Sequence, residues 1–405
     1  MSWFRRNPTS LKLRGARRIF LDYASATPVL PEVRQAMEKY WSKDFYNPAA
    51  IYREGLDVKE GVESCRARVA RALGVAENGV IFTAGGTESD NLAILGAFEK
   101  SLETIKRPHV IISAIEHPAI VAAAEEVVRR GGAVSLLGVD QEGLVSIEAL
   151  KKLLKKNTFL VSIGLANNEI GTIQPLSKIG RFLSEFRKDH GSVYPYLHTD
   201  ASQAPSFLEV GIENLQSDLL TLDGSKIYGP KGIGILAVRR GVKIRSLILG
   251  GEQERGRRAG TLNPALVAGF ALALEIALKD RGKESQRLEV FRRYFVESVT
   301  KRLPAAVING SRDFHLPNIV SVSLPGTLAE FILLKLDRAG LLVSVGSACS
   351  SDERVSGSPV ITALGKRDLA EATLRFSFGR FTTERDVRQA IEIFCGICKC
   401  RFQAF

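Results

Sequence analysis

No apolar run in the sequence approaches the roughly eighteen residues that a membrane-spanning helix needs, and the opening residues lack the long apolar centre of a secretory signal. The expectation is a protein that neither crosses a membrane nor is exported. Cysteine is scarce, at five in 405 residues. An odd number in so long a chain points to reduced thiols of a cytosol-like compartment and away from a disulfide framework. Internal repeats and low-complexity segments are absent, which excludes a solenoid and a disordered tether. Acidic residues are missing before Asp22, so "MSWFRRNPTSLKLRGARR" carries six basic residues and supplies half of the formal net charge of +12. Elsewhere aromatic residues are not interleaved with basic runs, so direct nucleic-acid binding is not expected. Residues 1–18 read as a solvated basic leader. A mitochondrial transit peptide is Arg-rich and acid-poor in the same way, so the expected location is cytoplasmic, with mitochondrial as the alternative.

The chain has ample means to bury a core: 45% of it is hydrophobic and 25% charged, and its length allows two or three domains. From Val80 onward short β-branched runs alternate with helical stretches. The runs are "VIFT", "HVIIS", "AVSLLGV", "TFLVSIGL", "YPYLHTD" and "DLLTLD". That alternation predicts a largely parallel sheet covered by helices on both faces. After "GGEQERGRRAGTLNP", two helical stretches from Ala265 to Leu303 are expected to lead into a second, smaller domain. Its strands would be "NIVSVSL", "LLVSVGSACSS" and "ATLRFSF".

In such a sheet ligands sit outside the carboxyl ends of the strands, and the polar residues cluster there. "AGGTESDN" follows the first run, with Gly86 and Thr87 opening a helix whose first turn holds Glu88 and Asp90. Small residues at a helix start let backbone amides reach a phosphate. His117, Asn168, then Asp200 with Gln203, follow three later runs. "TLDGSKIYGPKGIGIL" comes next, with Lys226 and Lys231 among its glycines; the spacing matches neither a P-loop nor a dinucleotide fingerprint. A lysine there is a candidate Schiff-base former, and a solvated turn lysine is the plain alternative. Singly, the glycines serve a turn, His117 a core and Asp200 a helix cap. Together, a carboxylate, a lysine and a phosphate cradle on one sheet rim are what pyridoxal phosphate requires. The carboxylate keeps the ring nitrogen protonated, the lysine holds the aldehyde, and the helix terminus takes the phosphate.

These residues stand in motifs that resemble the cysteine desulfurases, which are class V, fold type I pyridoxal phosphate enzymes. The motifs are "LDYASATP", "FTAGGTESDNLAI", "EHPAI", "NNEIGTIQP", "TDASQ", "KIYGPKGIG", "QERGRRAGT", "GSACSS" and "LRFSFGR", in this order between Phe20 and Ile393. The resemblance implies a large cofactor-binding domain over 29–280 with a mainly parallel seven-stranded sheet. It also implies a smaller α+β domain formed by 1–28 and 281–405, and a homodimer. It makes Lys226 the residue that carries the cofactor, with Asp200 on the pyridinium nitrogen, Gln203 on the phenolic oxygen and His117 stacked on the ring. Gly86 and Thr87 would hold the phosphate, joined by Thr261 of the other subunit. Asn168 and Arg375 would bind the substrate carboxylate, Arg375 through its planar fork. Cys349 takes the nucleophile position in a segment of small polar residues fit for a mobile loop. The implied reaction removes sulfur from L-cysteine, giving L-alanine and a persulfide on Cys349. That sulfur would pass to an acceptor protein, an iron-sulfur scaffold or a tRNA-thiolation partner.

The chain departs from the family pattern in two places. Asp223 and Ser225 occupy two cofactor-contact positions where Ser-Gly-His-Lys is usual, and "NPAAIY" lacks the histidine of an early motif. Asp223 brings a carboxylate toward a phosphate, and neutralisation by Arg255 or Arg257 of the neighbouring subunit is expected. Cys395, Cys398 and Cys400, with no histidine beside them, fall short of a structural zinc set and read as ordinary thiols, metal binding or a sulfur relay being the alternatives. A selenocysteine lyase or related aminotransferase is the rival enzyme, and a catalytically silent binding protein the rival of another class.

Overall fold

The computed structural model describes residues 18–346 and 357–402; the leader up to residue 17 and Cys349 lie outside the described residues. Strand β1 (Ile19–Phe20) precedes helices α1 (Pro31–Ser42) and α2 (Arg53–Leu73). The alternating section then runs β2 (Val80–Thr83), α3 (Gly86–Ser101), β3 (His109–Ser113), α4 (Pro118–Arg129), β4 (Ala133–Leu137) and α5 (Ile147–Leu153). It continues through β5 (Thr158–Ser162), α6 (Leu176–Asp189), β6 (Tyr196–Asp200), α7 (Ile212–Leu215), β7 (Leu219–Asp223) and β8 (Gly234–Val238). All six apolar runs form strands of one seven-stranded sheet, ordered β2-β8-β7-β6-β5-β3-β4. Pairing is parallel from β4 through β7, and β8 is the antiparallel member, inserted between β7 and β2.

The runs read as continuously apolar because both faces of the sheet are covered. Successive side chains point to opposite faces. On β3, Val110 and Ile112 pack with Leu92, Phe98 and Ile120 from α3 and α4. Ile111 faces the other way, into a core that includes Val62 and Val69 of α2 and Leu183 of α6.

Where two helical stretches were expected after Ala265, one helix of 39 residues, α8 (Pro264–Arg302), crosses the molecule. The charged stretch around Gly282 looks like a break, yet Lys, Arg and Glu are good helix formers, and one glycine costs only about 1 kcal/mol. The first half of α8 places Phe270, Leu274 and Ala277 in the large core, and the second half places Leu288, Phe295 and Val299 in a separate one. Around that second core lie β9 (Val307–Asn309), β10 (Ile319–Ser323), α9 (Ala329–Arg338), β11 (Leu341–Leu342), β12 (Ser344–Val345), β13 (Thr373–Ser377) and α11 (Glu384–Phe402), while α10 (Pro359–Ala363) packs with Ile115 and Ile170. Four of these strands form an antiparallel sheet ordered β12-β13-β10-β9, while β11 pairs in parallel with β1. Cys395 and Cys398 are buried side chains of this core, and burial pushes the Cys395 thiol up.

One buried ion pair ties α2 to the strand rim. Arg66 donates to both carboxylate oxygens of Glu254, at 2.8 and 2.6 Å, and the Phe82 amide donates to the same carboxylate at 2.8 Å. Breaking such a pair leaves a charge buried without its partner. Glu254→Gln is expected to cost about 3 kcal/mol in a denaturant titration; a loss below about 1 kcal/mol would mean water reaches Arg66.

Candidate active site

The carboxyl ends of β2, β3, β5, β6 and β7 open on a cavity of about 250 Å³, which β13 closes from the smaller layer. Ten of the residues singled out from sequence line it: Gly86, Thr87, His117, Asn168, Asp200, Gln203, Asp223, Ser225, Lys226 and Arg375. Lys231 is exposed outside it, which separates the two lysines of the glycine-rich stretch. Thr261 is also exposed and does not line the cavity within its own chain.

Lys226 ends the short turn after β7, with its Nζ donating to the carbonyls of Ala24 at 3.2 Å and Ser25 at 2.5 Å. Gln203 Nε2 donates to the same Ala24 carbonyl at 2.9 Å, so the "LDYASATP" segment forms the floor under both. His117 caps α4, its Nδ1 accepting from the Ala119 amide at 3.2 Å. Burial lowers its pKa, against the pull of Asp200. Asp200 Oδ1 accepts from the Ser202 amide at 2.8 Å.

Two further carboxyls belong to the same wall. Glu116 accepts from Ser113 Oγ at 2.5 Å and the Gly164 amide at 2.9 Å, and burial, with repulsion from Asp200, raises its pKa to about 7. Asp90 lies well above the ordinary carboxylate range, through burial first and Asp200 second. Both carboxyls resist ionisation beside Asp200. Neither role was read from the sequence. In the sequence Asp90 stands only as part of a helix start, and Glu116 carries no signal of its own within "EHPAI".

Arg375, on β13, is nearly fully buried and held from two sides. Nη1 donates to the Asn168 carbonyl at 2.8 Å, and Nη2 to Asp22 Oδ1 and Ser25 Oγ, both at 2.7 Å. Its Nε has no hydrogen-bond partner among the described residues. The guanidinium is therefore fixed beside the cavity, and its planar fork suits capture of a carboxylate. Asn168 contributes its carbonyl to this arrangement, while neighbouring Asn167 shapes the loop by accepting from the amides of Glu169 and Ile170.

At the start of α3, Asp223 is held by donors of its own chain. The Gly86 amide donates to Asp223 Oδ2 at 2.9 Å, and Ser225 turns both its amide and its hydroxyl to Asp223 Oδ1, at 2.7 and 2.6 Å. No arginine pairs with Asp223 among the described residues. Within the chain Arg255 reaches Glu63, and Arg257 donates to the Asn78 carbonyl. Within the chain, backbone and hydroxyl donors bond this carboxylate.

The donor set fits pyridoxal phosphate. Lys226 and Asp200 share one cavity, and the buried Ser202 Oγ and Arg375 Nε lack partners among the described residues. At the phosphate end Thr87 and Ser202 are available, whereas the Gly86 amide is engaged. A seven-stranded, mainly parallel sheet with these groups at its strand ends defines a fold type I enzyme of the pyridoxal phosphate class.

Comparison with known proteins narrows this. The family model described as aminotransferase class-V matches residues 19–390. The cysteine desulfurase IscS of Dictyoglomus turgidum is 40% identical over 379 residues, covering 93% of each chain. Among solved structures, a NifS-like protein superposes with a TM-score of 0.86 at 31% identity, covering 95% of this chain and all of that one. SspA, solved in complex with cysteine, gives a TM-score of 0.76 at 31% identity, over 90% of this chain and all of its own. The chain belongs to the class-V aminotransferase family, and within it to the cysteine desulfurases.

Proposed function

We propose that the chain removes sulfur from L-cysteine with pyridoxal phosphate, giving L-alanine and a persulfide on Cys349. The observation that carries this reading is the convergence of Lys226, Asp200, His117 and a buried Arg375 in one cavity. When bound, pyridoxal phosphate supplies an aldehyde and an electron-accepting ring. The residues that would hold it are Lys226 at the aldehyde, Asp200 at the ring nitrogen, Gln203 at the phenolic oxygen, His117 over the ring, and Thr87 with Ser202 at the phosphate. Arg375 fixes the substrate carboxylate, with Asn168 beside it. Lys226 Nζ then takes the proton from the substrate α-carbon, as a general base within the cavity. The Cys349 thiolate attacks the substrate sulfur; the carbon–sulfur bond breaks, and the sulfur stays on the protein as a persulfide.

Several finer assignments belong to this proposal. A protein acceptor takes the persulfide sulfur, in iron-sulfur scaffold assembly or tRNA thiolation, and the work is done in a reducing, cytoplasmic compartment. Two copies act together, Thr261 of one completing the phosphate site of the other. Residues 29–280 form the cofactor domain, with 1–28 and 281–405 forming the smaller one. The pairing of β1 with β11 supports that division.

The test is conversion of L-cysteine to L-alanine by the purified protein supplied with pyridoxal phosphate; absence of alanine would reject the reading. Arg375→Lys gives a finer check. Lysine cannot bond Asn168, Asp22 and a substrate carboxylate with one planar fork, so KM for cysteine should rise about tenfold or more, with a smaller change in kcat. An unchanged KM would place the carboxylate elsewhere.

A further inference from the structure

We propose that Asp223 sets how strongly this site discriminates between the phosphorylated and unphosphorylated forms of its cofactor, by occupying part of the phosphate cradle itself. The inference rests on the pyridoxal phosphate reading above and concerns one end of that site. Helix α3 begins at Gly86 after Gly85, whose φ of 156° belongs to glycine, and Gly86 and Thr87 line the cavity. Helix N-termini favour anions, and here one is already in place. Asp223 Oδ2 accepts from Gly86, while Oδ1 is anchored by the Ser225 amide and hydroxyl.

Space beside the carboxylate is also restricted. A Cβ built on Gly86 would stand 3.3 Å from Asp223 Oδ2 and 3.5 Å from Ser202 Oγ, so carboxylate, amide and hydroxyl crowd one spot. Ser202 is 7% exposed, and its Oγ has no partner among the described residues, so a donor is available there for a further anion. Asp223 and Thr87 both border a second cavity, of about 570 Å³, with Arg257 and Arg258 on its wall. Neither arginine is directed at Asp223: Arg258 pairs with Glu88 at 2.9 Å, and Arg257 with the Asn78 carbonyl.

A phosphate ester arriving at Thr87 and Ser202 thus meets a fixed carboxylate and lacks one amide that the helix start would otherwise give. Its charge and its missing hydrogen bond both reduce what the phosphate adds to affinity. Groups that bind the ring and aldehyde are unaffected, so pyridoxal loses nothing. Asp223 is a specificity-determining residue of the cofactor site.

The experiment uses the full chain stripped of cofactor and titrated separately with pyridoxal phosphate and pyridoxal. Readouts are the borohydride-stable adduct at Lys226, located by mass spectrometry, and quenching of tryptophan fluorescence. Asp223→Ser should raise the ratio of pyridoxal phosphate affinity to pyridoxal affinity about tenfold or more, through the phosphate arm alone. Asp223→Asn keeps an oxygen for the Ser225 amide, guards against misfolding, and should shift the ratio in the same direction. An unchanged or lowered ratio in a folded variant overturns the inference. If neither aldehyde gives an adduct at Lys226 in any form of the protein, the cofactor reading falls and the inference with it. An adduct with an unmoved ratio rejects the inference alone.

Discussion

Lys226→Ala is expected to remove the covalent adduct with pyridoxal phosphate and to lower cysteine turnover by about a thousandfold or more, because on the proposed reading one side chain supplies both the amine and the base. The fold should survive. Lys226 Nζ donates to the carbonyls of Ala24 and Ser25, each bond worth about 1 kcal/mol net, and both residues border a cavity that water can enter. Borohydride trapping followed by peptide mapping checks the first part, and a denaturant titration the second. An adduct persisting on Lys231 would reassign the nucleophile. The geometry is against that, since Lys231 is exposed and points to the Thr27 carbonyl at 3.5 Å.

Cys349→Ser should have an effect of similar size on alanine formation, with a different signature. In the proposed reaction the thiol acts after the α-proton has been removed, so the variant should still form the Lys226 adduct and still bind cysteine. A serine hydroxyl is a far weaker nucleophile toward sulfur than a thiolate. The other described cysteines are poorly placed to substitute. Cys65, Cys395 and Cys398 are all buried, and burial raises the thiol pKa of Cys65 and Cys395. Turnover that is undiminished would remove the chain from the desulfurase chemistry, whatever its family.

The strand ends were legible because a parallel sheet imposes a rule: apolar run, then ligand residue. That rule led from sequence to Gly86, Thr87, His117, Asn168, Asp200 and Lys226, and the cavity contains them all. The pattern is silent where it depends on contacts distant in sequence. Asp22 and Ser25 lie about 350 positions before Arg375, and nothing in "LDYASATP" says that they grip a guanidinium. Strand β8 escapes the alternation because it follows a glycine-rich turn with no helix before it. The division of α8 was misread because charge and one glycine mark a surface, not an end. The bonds that Asp223 accepts from the amides of Gly86 and Ser225 carry no signature in a sequence.

The chemistry is tested most directly by locating the sulfur. The protein, loaded with pyridoxal phosphate and given one equivalent of L-cysteine, is quenched with a thiol-blocking reagent and mapped by mass spectrometry, with alanine measured in parallel. The expected result is one extra sulfur atom on Cys349 for each alanine formed. Sulfur on Cys395 or Cys398, or alanine released with no sulfur held by the protein, would contradict the assignment of Cys349 as the acceptor.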